Sequence, residues 1–326
     1  AVEAVDDRPV ARPGLSSEEL QRTRAWFDGW REVPVVPIHR AHDTEGPALL
    51  VGDGTTVVVD PGWRVTATAG WVQLDDKRPA PRRSSTAFDP IQTAVFAARI
   101  MAIAEEMGEH LARLARSVSI RERRDFSAAV FDRDGHLIAN APHVPVHLGA
   151  MGETVRGLLR DRGDDLQPGT AWASNDPYCG GSHLPDITVI RPVHAGATRV
   201  AFVAVRGHHV DVGGSTPGSM PPASTHIEHE GLRFRNIPLA GPDGFTPPCL
   251  DGTRSPHELR ADLLAQVAAV QRGDDGLQGL IEGMGVDGFT AQMRHALDAA
   301  ERATARLLTG MPGVHTATEV LDDGTP

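Results

Sequence analysis

Cysteine and aromatic residues are scarce in this chain. It holds two cysteines, Cys179 and Cys249, and one tyrosine, and Phe, Trp and Tyr together make up 5% of its residues. Two thiols in 326 residues argue against a disulfide framework and for a reducing compartment. No apolar run approaches the roughly 20 residues that cross a bilayer. The first residues, Ala1-Val2-Glu3-Ala4, lack the basic-then-apolar pattern of a secretory leader. Positive charge is not in excess either: the net charge is -11, spread along the chain, which argues against nucleic acid or an anionic membrane as partner. Neither Gly-x-x-x-x-Gly-Lys-[Ser/Thr] nor Gly-x-Gly-x-x-Gly after a strand occurs, so no nucleotide site of a familiar type is visible. These absences set the expectation of a cytoplasmic protein. A hydrophobic content of 40% and a charged content of 23% are those of a globular chain long enough for two domains.

The pattern of elements predicts a mixed α/β (α+β) fold. Residues 1–80 read as a small β-rich unit, with strands around 33–40, 46–51, 55–60 and 65–74. Prolines confine the first of these to an edge or bulge. Residues 81–88 form the linker, within a polar, basic, proline-containing stretch that begins at Lys77. Residues 89–326 then read as a larger sheet-and-helix domain. Asp89, Pro90 and Gln92 signal a helix start, and Val95, Ile100, Ile103, Met107, Leu111 and Leu114 recur close to one helical face. Strands are expected at 126–131, 137–139, 170–174, 187–193, 200–205 and 232–237, with a short helix at 151–159. Ser255-Pro256-His257-Glu258 reads as a capping box that opens a helix to about residue 271. A short helix within 273–288 and another over 289–308 follow, and no internal repeat shows.

Chemistry concentrates between Asn175 and Asp211. Asn175-Asp176-Pro177-Tyr178-Cys179-Gly180-Gly181-Ser182-His183-Leu184-Pro185-Asp186 is followed by an apolar run, then Arg206-Gly207-His208-His209-Val210-Asp211-Val212-Gly213-Gly214. His183 and Asp186 form a His-x-x-Asp pair on a glycine-rich loop, and His208 lies 25 residues after His183. Imidazole nitrogen with carboxylate oxygen suits Mn, Fe or Zn, and a two-His, one-carboxylate set leaves coordination positions open. The alternative is that these histidines are hydrogen-bonded loop anchors and the aspartates cap turns. His143 and His147 lie four apart on what reads as an extended segment, so both can face one pocket as ligands or as general acids and bases. Glu230 and Asp125 are candidate outer carboxylates. Cys179 is either a nucleophile or small filler, and no cysteine-protease or redox pattern surrounds it.

Several long segments together resemble the hydantoinase B family, also called the oxoprolinase B or acetone carboxylase alpha-subunit family. They are Arg121-Glu122-Arg123-Arg124-Asp125-Phe126-Ser127, Ala141-Pro142-His143-Val144-Pro145-Val146-His147-Leu148-Gly149, the two focal stretches above, Thr216-Pro217-Gly218-Ser219-Met220-Pro221-Pro222, and Glu230-Gly231. The first 80 residues look like the C-terminal end of the partner A subunit, running into B as in fused, 5-oxoprolinase-like chains. The resemblance implies an enzyme that couples ATP to opening a cyclic amide or to carboxylating a ketone. An A component with an ATPase fold phosphorylates the substrate, and the B component completes the reaction beside a divalent metal. It places the metal on His183, Asp186 and His208; beside that site, His209, Asp211, His147 and Glu230 are read as catalytic and His143, Asp176 and Tyr178 as substrate contacts. ATP is expected on a hydantoinase A-like partner or domain rather than on this chain, within a homo- or hetero-oligomer. The family's B proteins continue further than this sequence, which suggests truncation at the C-terminus. The rivals are a ketone carboxylase subunit and a catalytically silent assembly module.

Overall fold

In the computed structural model, residues 21–68, 71–78, 86–141 and 144–310 are described, together with Gly313, Thr316, Thr318 and Val320. His143 and most of the expected linker lie outside the described residues. The chain divides into two compact units, Ala1–Pro81 and Arg82–Pro326.

The first unit is all β among its described strands. Strands β1 (Arg22–Trp26), β2 (Trp30–Pro37), β3 (Ala48–Gly52) and β4 (Thr55–Val59) form one sheet in that order, and β5 (Trp63–Thr68) pairs with β6 (Trp71–Asp76). Residues 65–74, expected as one strand, are thus a hairpin. Strand β2 is internal rather than an edge. Its prolines fall where the ladder ends: Pro34 opposes Arg22, the first residue of β1, and Pro37 is the last residue of β2. Val36, Ala48, Leu50, Val59 and Val65 close the core of this unit.

The second unit is an antiparallel seven-stranded sheet with helices on both faces. Its strands are β7 (Phe126–Asp132), β8 (Leu137–Asn140), β9 (Ala171–Ser174), β10 (Asp186–Ala195), β11 (Thr198–His208), β12 (Ile237–Gly241) and β13 (Gly244–Phe245), in the order β13-β12-β9-β10-β11-β7-β8. Alternation along β7 shows why both faces are covered. Phe126, Ala128 and Val130 join the larger core under α1 (Pro90–Leu114) and α4 (Pro256–Thr309), whereas Ala129 and Phe131 face Met151, Val155 and Leu158 of α3 (Pro145–Arg162). A short helix, α2 (Val118–Arg121), links α1 to the sheet.

Helix α1 starts as its sequence predicts. The Asp89 carboxylate accepts the backbone N–H of Ile91 at 2.8 Å and of Gln92 at 3.3 Å. Its buried stripe is Phe96, Ile100, Ile103, Met107 and Leu111, while Val95 and Leu114 are about half exposed. Helix α4 departs from expectation by running on through 273–284 before a break at Gly285, whose φ of 75° only glycine adopts readily. The glycines that suggested a break are contact points. A Cβ on Gly273 would lie 2.4 Å from Met107 Sδ, and one on Gly276 would lie 3.0 Å from Ile103. Close approach of α4 to α1 therefore outweighs the low helix propensity of glycine. Ser255 caps α4 without a side-chain hydrogen bond, so the capping box does not close. Residues 232–236 are not a strand: the Asn175 side chain donates to the Leu232 carbonyl at 2.9 Å and accepts from Phe234 N at 2.6 Å, satisfying that backbone without a ladder.

Candidate active site

The centre of the candidate site is Asp186, the first residue of β10 and 1% exposed. The hairpin of β10 and β11 explains the spacing read from sequence. Its open end sets Asp186 directly opposite His208, the last residue of β11. His183 arrives from the turn before β10, where Asp186 N donates to the His183 carbonyl at 3.0 Å. His147 arrives from the first turn of α3.

All three imidazoles converge on one carboxylate. His147 Nε2 lies 3.2 Å and His183 Nδ1 3.1 Å from Asp186 Oδ2, and His208 Nδ1 lies 3.2 Å from Oδ1. Ser182 Oγ donates to Oδ2 at 2.5 Å. Burial alone would push the Asp186 carboxyl up. The hydrogen bonds from His147, His183, His208 and Ser182 outweigh it and hold the carboxyl well below the usual carboxylate range. In turn the hydrogen bond to Asp186 raises the His208 imidazole above its ordinary value, against the opposing effect of burial. His147 is 2% exposed and its Nδ1 lies 3.2 Å from Ser127 Oγ, whereas His183 and His208 are partly open. The site thus has a buried wall and an accessible rim.

His183, Asp186 and His208 suit a metal by chemistry and by spacing. Metal bonds of about 2.0–2.2 Å at tetrahedral to octahedral angles place neighbouring ligand atoms about 3.0–3.5 Å apart. The 3.1 and 3.2 Å contacts fall in that interval, and one ligand atom from each residue lies within 4.8 Å of the others. A second grouping, Asp132, Asp134 and His136, sits at the exposed β7–β8 turn, where Asp132 already accepts two backbone N–H groups of that turn.

The other sequence candidates have different surroundings. His209 is 1% exposed; its Nε2 lies 3.1 Å from Gln266 Oε1, and burial pushes its imidazole down. Gln266 Nε2 donates to the Ile187 carbonyl at 2.8 Å, so its Oε1 is the atom left to accept from His209. Asp211 binds loops together, accepting from Gly213 N, Gly218 N, Arg254 N and Arg254 Nη1 at 2.9, 3.1, 2.9 and 2.9 Å. Asp176 is buried and caps the turn that presents Tyr178, accepting Tyr178 N at 3.0 Å. The Tyr178 side chain is 76% exposed. Glu230 follows the 3-10 turn Ile227–His229, with its N–H bonded to the Ile227 carbonyl at 3.0 Å. Asp125 lends its carbonyl to His208 N at 3.0 Å. Cys179 is 3% exposed, with Asn236 Nδ2 3.6 Å from its sulfur. His147 sits on a helix rather than on the extended segment expected; Pro145 at the first helical position was the available signal. Ser182 and Arg206 were not singled out as functional, because serine and arginine carry no ligand pattern of their own.

Comparison with known proteins gives the family of the chain. The family model described as hydantoinase B/oxoprolinase matches residues 89–326. The 5-oxoprolinase 1 of Arabidopsis thaliana is 38% identical over 324 residues, covering 92% of this chain and 26% of that protein. This chain thus spans about a quarter of the length of that curated relative. The crystal structure of ATP-dependent caprolactamase from Pseudomonas jessenii superposes with a TM-score of 0.68 at 29% identity, over 73% of this chain and 42% of that one. Nucleotide-free acetone carboxylase shares the fold, with a TM-score of 0.58 at 16% identity over 64% of this chain and 28% of that chain. No described helix is long and apolar enough to cross a membrane. With a family match over most of its length and the same mixed sheet-and-helix fold as these solved structures, the chain belongs to the hydantoinase B/oxoprolinase family.

Proposed function

We propose that this chain is the metal-bearing part of an ATP-dependent hydrolase that opens a cyclic amide of the hydantoin or 5-oxoproline type. The observation that carries this reading is the convergence of His147, His183 and His208 on the buried Asp186 carboxylate. His183, Asp186 and His208 would hold one divalent ion, Mn, Zn or Fe, leaving His147 as the imidazole behind the carboxylate. When bound, such an ion polarises a carbonyl or lowers the pKa of water.

The chain's own groups have separable tasks. In the ion-free site Asp186 stays ionised, because four donors stabilise its charge against burial, and Ser182 and His147 remain donors when His183 and His208 hold the ion. His147, hydrogen-bonded to Ser127 on one nitrogen and to Asp186 on the other, holds the carboxylate and has no open path to solvent. Partly open His183 and His208 form the rim that faces substrate, with exposed Tyr178 nearby in sequence as a candidate contact. His209 is buried against Gln266 of α4, where burial pushes its imidazole down, and is closed off from substrate.

ATP and the phosphorylation step belong to a hydantoinase A-like ATPase subunit or domain. The alignment with 5-oxoprolinase 1 reaches into the N-terminal unit, which supports reading residues 1–80 as the end of such a component, 81–88 as a linker and 89–326 as the B-type domain. The caprolactamase likeness favours amide hydrolysis over ketone carboxylation, since at 16% identity the carboxylase shows the fold alone. The experiment is ATP-dependent opening of hydantoin and 5-oxoproline by the chain supplied with a hydantoinase A-type ATPase. Activity lost in Asp186→Asn with the fold retained is expected. Turnover unchanged in that variant, or bicarbonate-dependent carboxylation of a ketone instead of ring opening, would overturn the reading.

A further inference from the structure

Arg206 is fully buried and is among the largest side chains with no exposure in the described chain. No carboxylate is paired with it among the described residues. Burying an arginine without a counter-ion is costly, so its partners need a reason. Its Nε donates to Thr188 Oγ1 at 2.8 Å and its Nη2 to Thr154 Oγ1 at 2.8 Å and to the Gly180 carbonyl at 2.9 Å. The remaining Nη1 points at Ser182 Oγ, 3.5 Å away.

These partners are the segments that carry the groups around Asp186. Thr188 is on β10, two residues after Asp186, and Thr154 is on α3, two turns after His147. Gly180 and Ser182 belong to the loop that carries His183. Arg206 itself precedes His208 by two residues on β11, so both lie on one face. In the ladder, Thr188 opposes Arg206 two residues along from the Asp186–His208 pair. Gly180 lets the loop lie against α3, since a Cβ there would sit 2.3 Å from Thr154 N.

Donor–acceptor logic gives the contacts a direction. A guanidinium donates and never accepts. Ser182 oxygen therefore receives the Arg206 N–H, and its single proton is committed to Asp186 Oδ2, at 2.5 Å. Of the four donors to Asp186, Ser182 is the one that is not an imidazole. It stays a donor whatever the imidazoles bind.

We infer that Arg206 and Ser182 are positioning residues: the buried guanidinium fixes the loop, helix and strands around Asp186, and through the Ser182 hydroxyl it orients the ligand carboxylate. This rests on the metal reading above. The test titrates the metal-free full chain with Zn2+ against a chromophoric chelator, beside thermal unfolding, for Ser182→Ala, Ser182→Thr, Arg206→Lys and the Ser182→Ala/Arg206→Lys pair. Outer hydrogen-bond partners of metal ligands typically contribute about 10–100-fold in affinity. Ser182→Ala and Arg206→Lys are each expected to fall in that range, with the pair no weaker than the poorer single variant, because both act through one hydroxyl. Ser182→Thr restores the hydroxyl and is expected to bind within about threefold of wild type. Lower melting temperature with unchanged affinity would overturn the inference in favour of a purely structural role. If Arg206→Lys does not fold, the two Ser182 variants decide alone. If wild type binds no Zn2+, the metal reading fails, and the inference is judged on the metal-free crystal structure of Ser182→Ala. A carboxylate turned away from His183 and His208 on an unmoved β10 sustains it, and an unmoved carboxylate refutes it.

Discussion

Replacing Asp211 separates a structural carboxylate from a catalytic one. The sequence reading gives it a catalytic role, yet its oxygens accept three backbone N–H groups and the Arg254 guanidinium, joining the 211–218 loop to the start of α4. Asp211→Ala removes every one of those acceptors. The Arg254 side chain is 41% exposed and recovers solvent, so the loss comes mainly from the three N–H groups. A buried orphaned group costs about 1–3 kcal/mol; Gly213 N is buried while those of Gly218 and Arg254 are partly open, so the total is expected at about 2–4 kcal/mol. Asp211→Asn keeps one carbonyl acceptor and is expected to lose about 1–2 kcal/mol. Burial alone would raise the Asp211 carboxyl. The hydrogen bonds from Arg254, Gly213 and Gly218 outweigh it and depress it below its ordinary value. A depressed folded value means that the stabilisation is present above the unfolded value of about 3.9 and lost as pH falls through the folded one. Urea unfolding at pH 7 is therefore expected to separate wild type from Asp211→Asn, and the gap is expected to close on acidification below about pH 4. An Asp211→Asn protein that unfolds like wild type yet has lost turnover would refute the structural assignment.

Other changes probe the site's frame. Cys179→Ser is expected to leave turnover, measured with the ATPase component supplied, within a few fold, because the thiol is buried against Asn236; complete loss would revive a nucleophilic role. Gly180→Ala is expected to cost at least about 2 kcal/mol, since φ is +84° and the new Cβ would meet the α3 backbone at 2.3 Å. Wild-type stability in that variant, by chemical denaturation, would mean that the loop does not lie against α3.

The sequence announces the candidate cluster and hides its support. His183, Asp186 and His208 are legible because a His-x-x-Asp pair and a later histidine flank an apolar run that folds as one hairpin. The helix under His147 is obscured by the two prolines of Pro142-His143-Val144-Pro145, a stretch that reads as extended until Pro145 is seen as the first helical residue. Helix α4 looked broken because its glycines are conspicuous, whereas their contacts with Met107 and Ile103 come from a helix distant in sequence. Arg206 shows the same limit. Nothing local marks an arginine that will be buried among Thr154, Thr188, Gly180 and Ser182, since those partners come together only in the folded chain.

Elemental analysis of the purified chain, beside His183→Ala, decides whether His183, Asp186 and His208 hold a metal ion. About one Mn, Fe or Zn per chain is expected, lost in the variant while its circular dichroism is unchanged. No metal in wild type, or the same content in a folded His183→Ala protein, would contradict it.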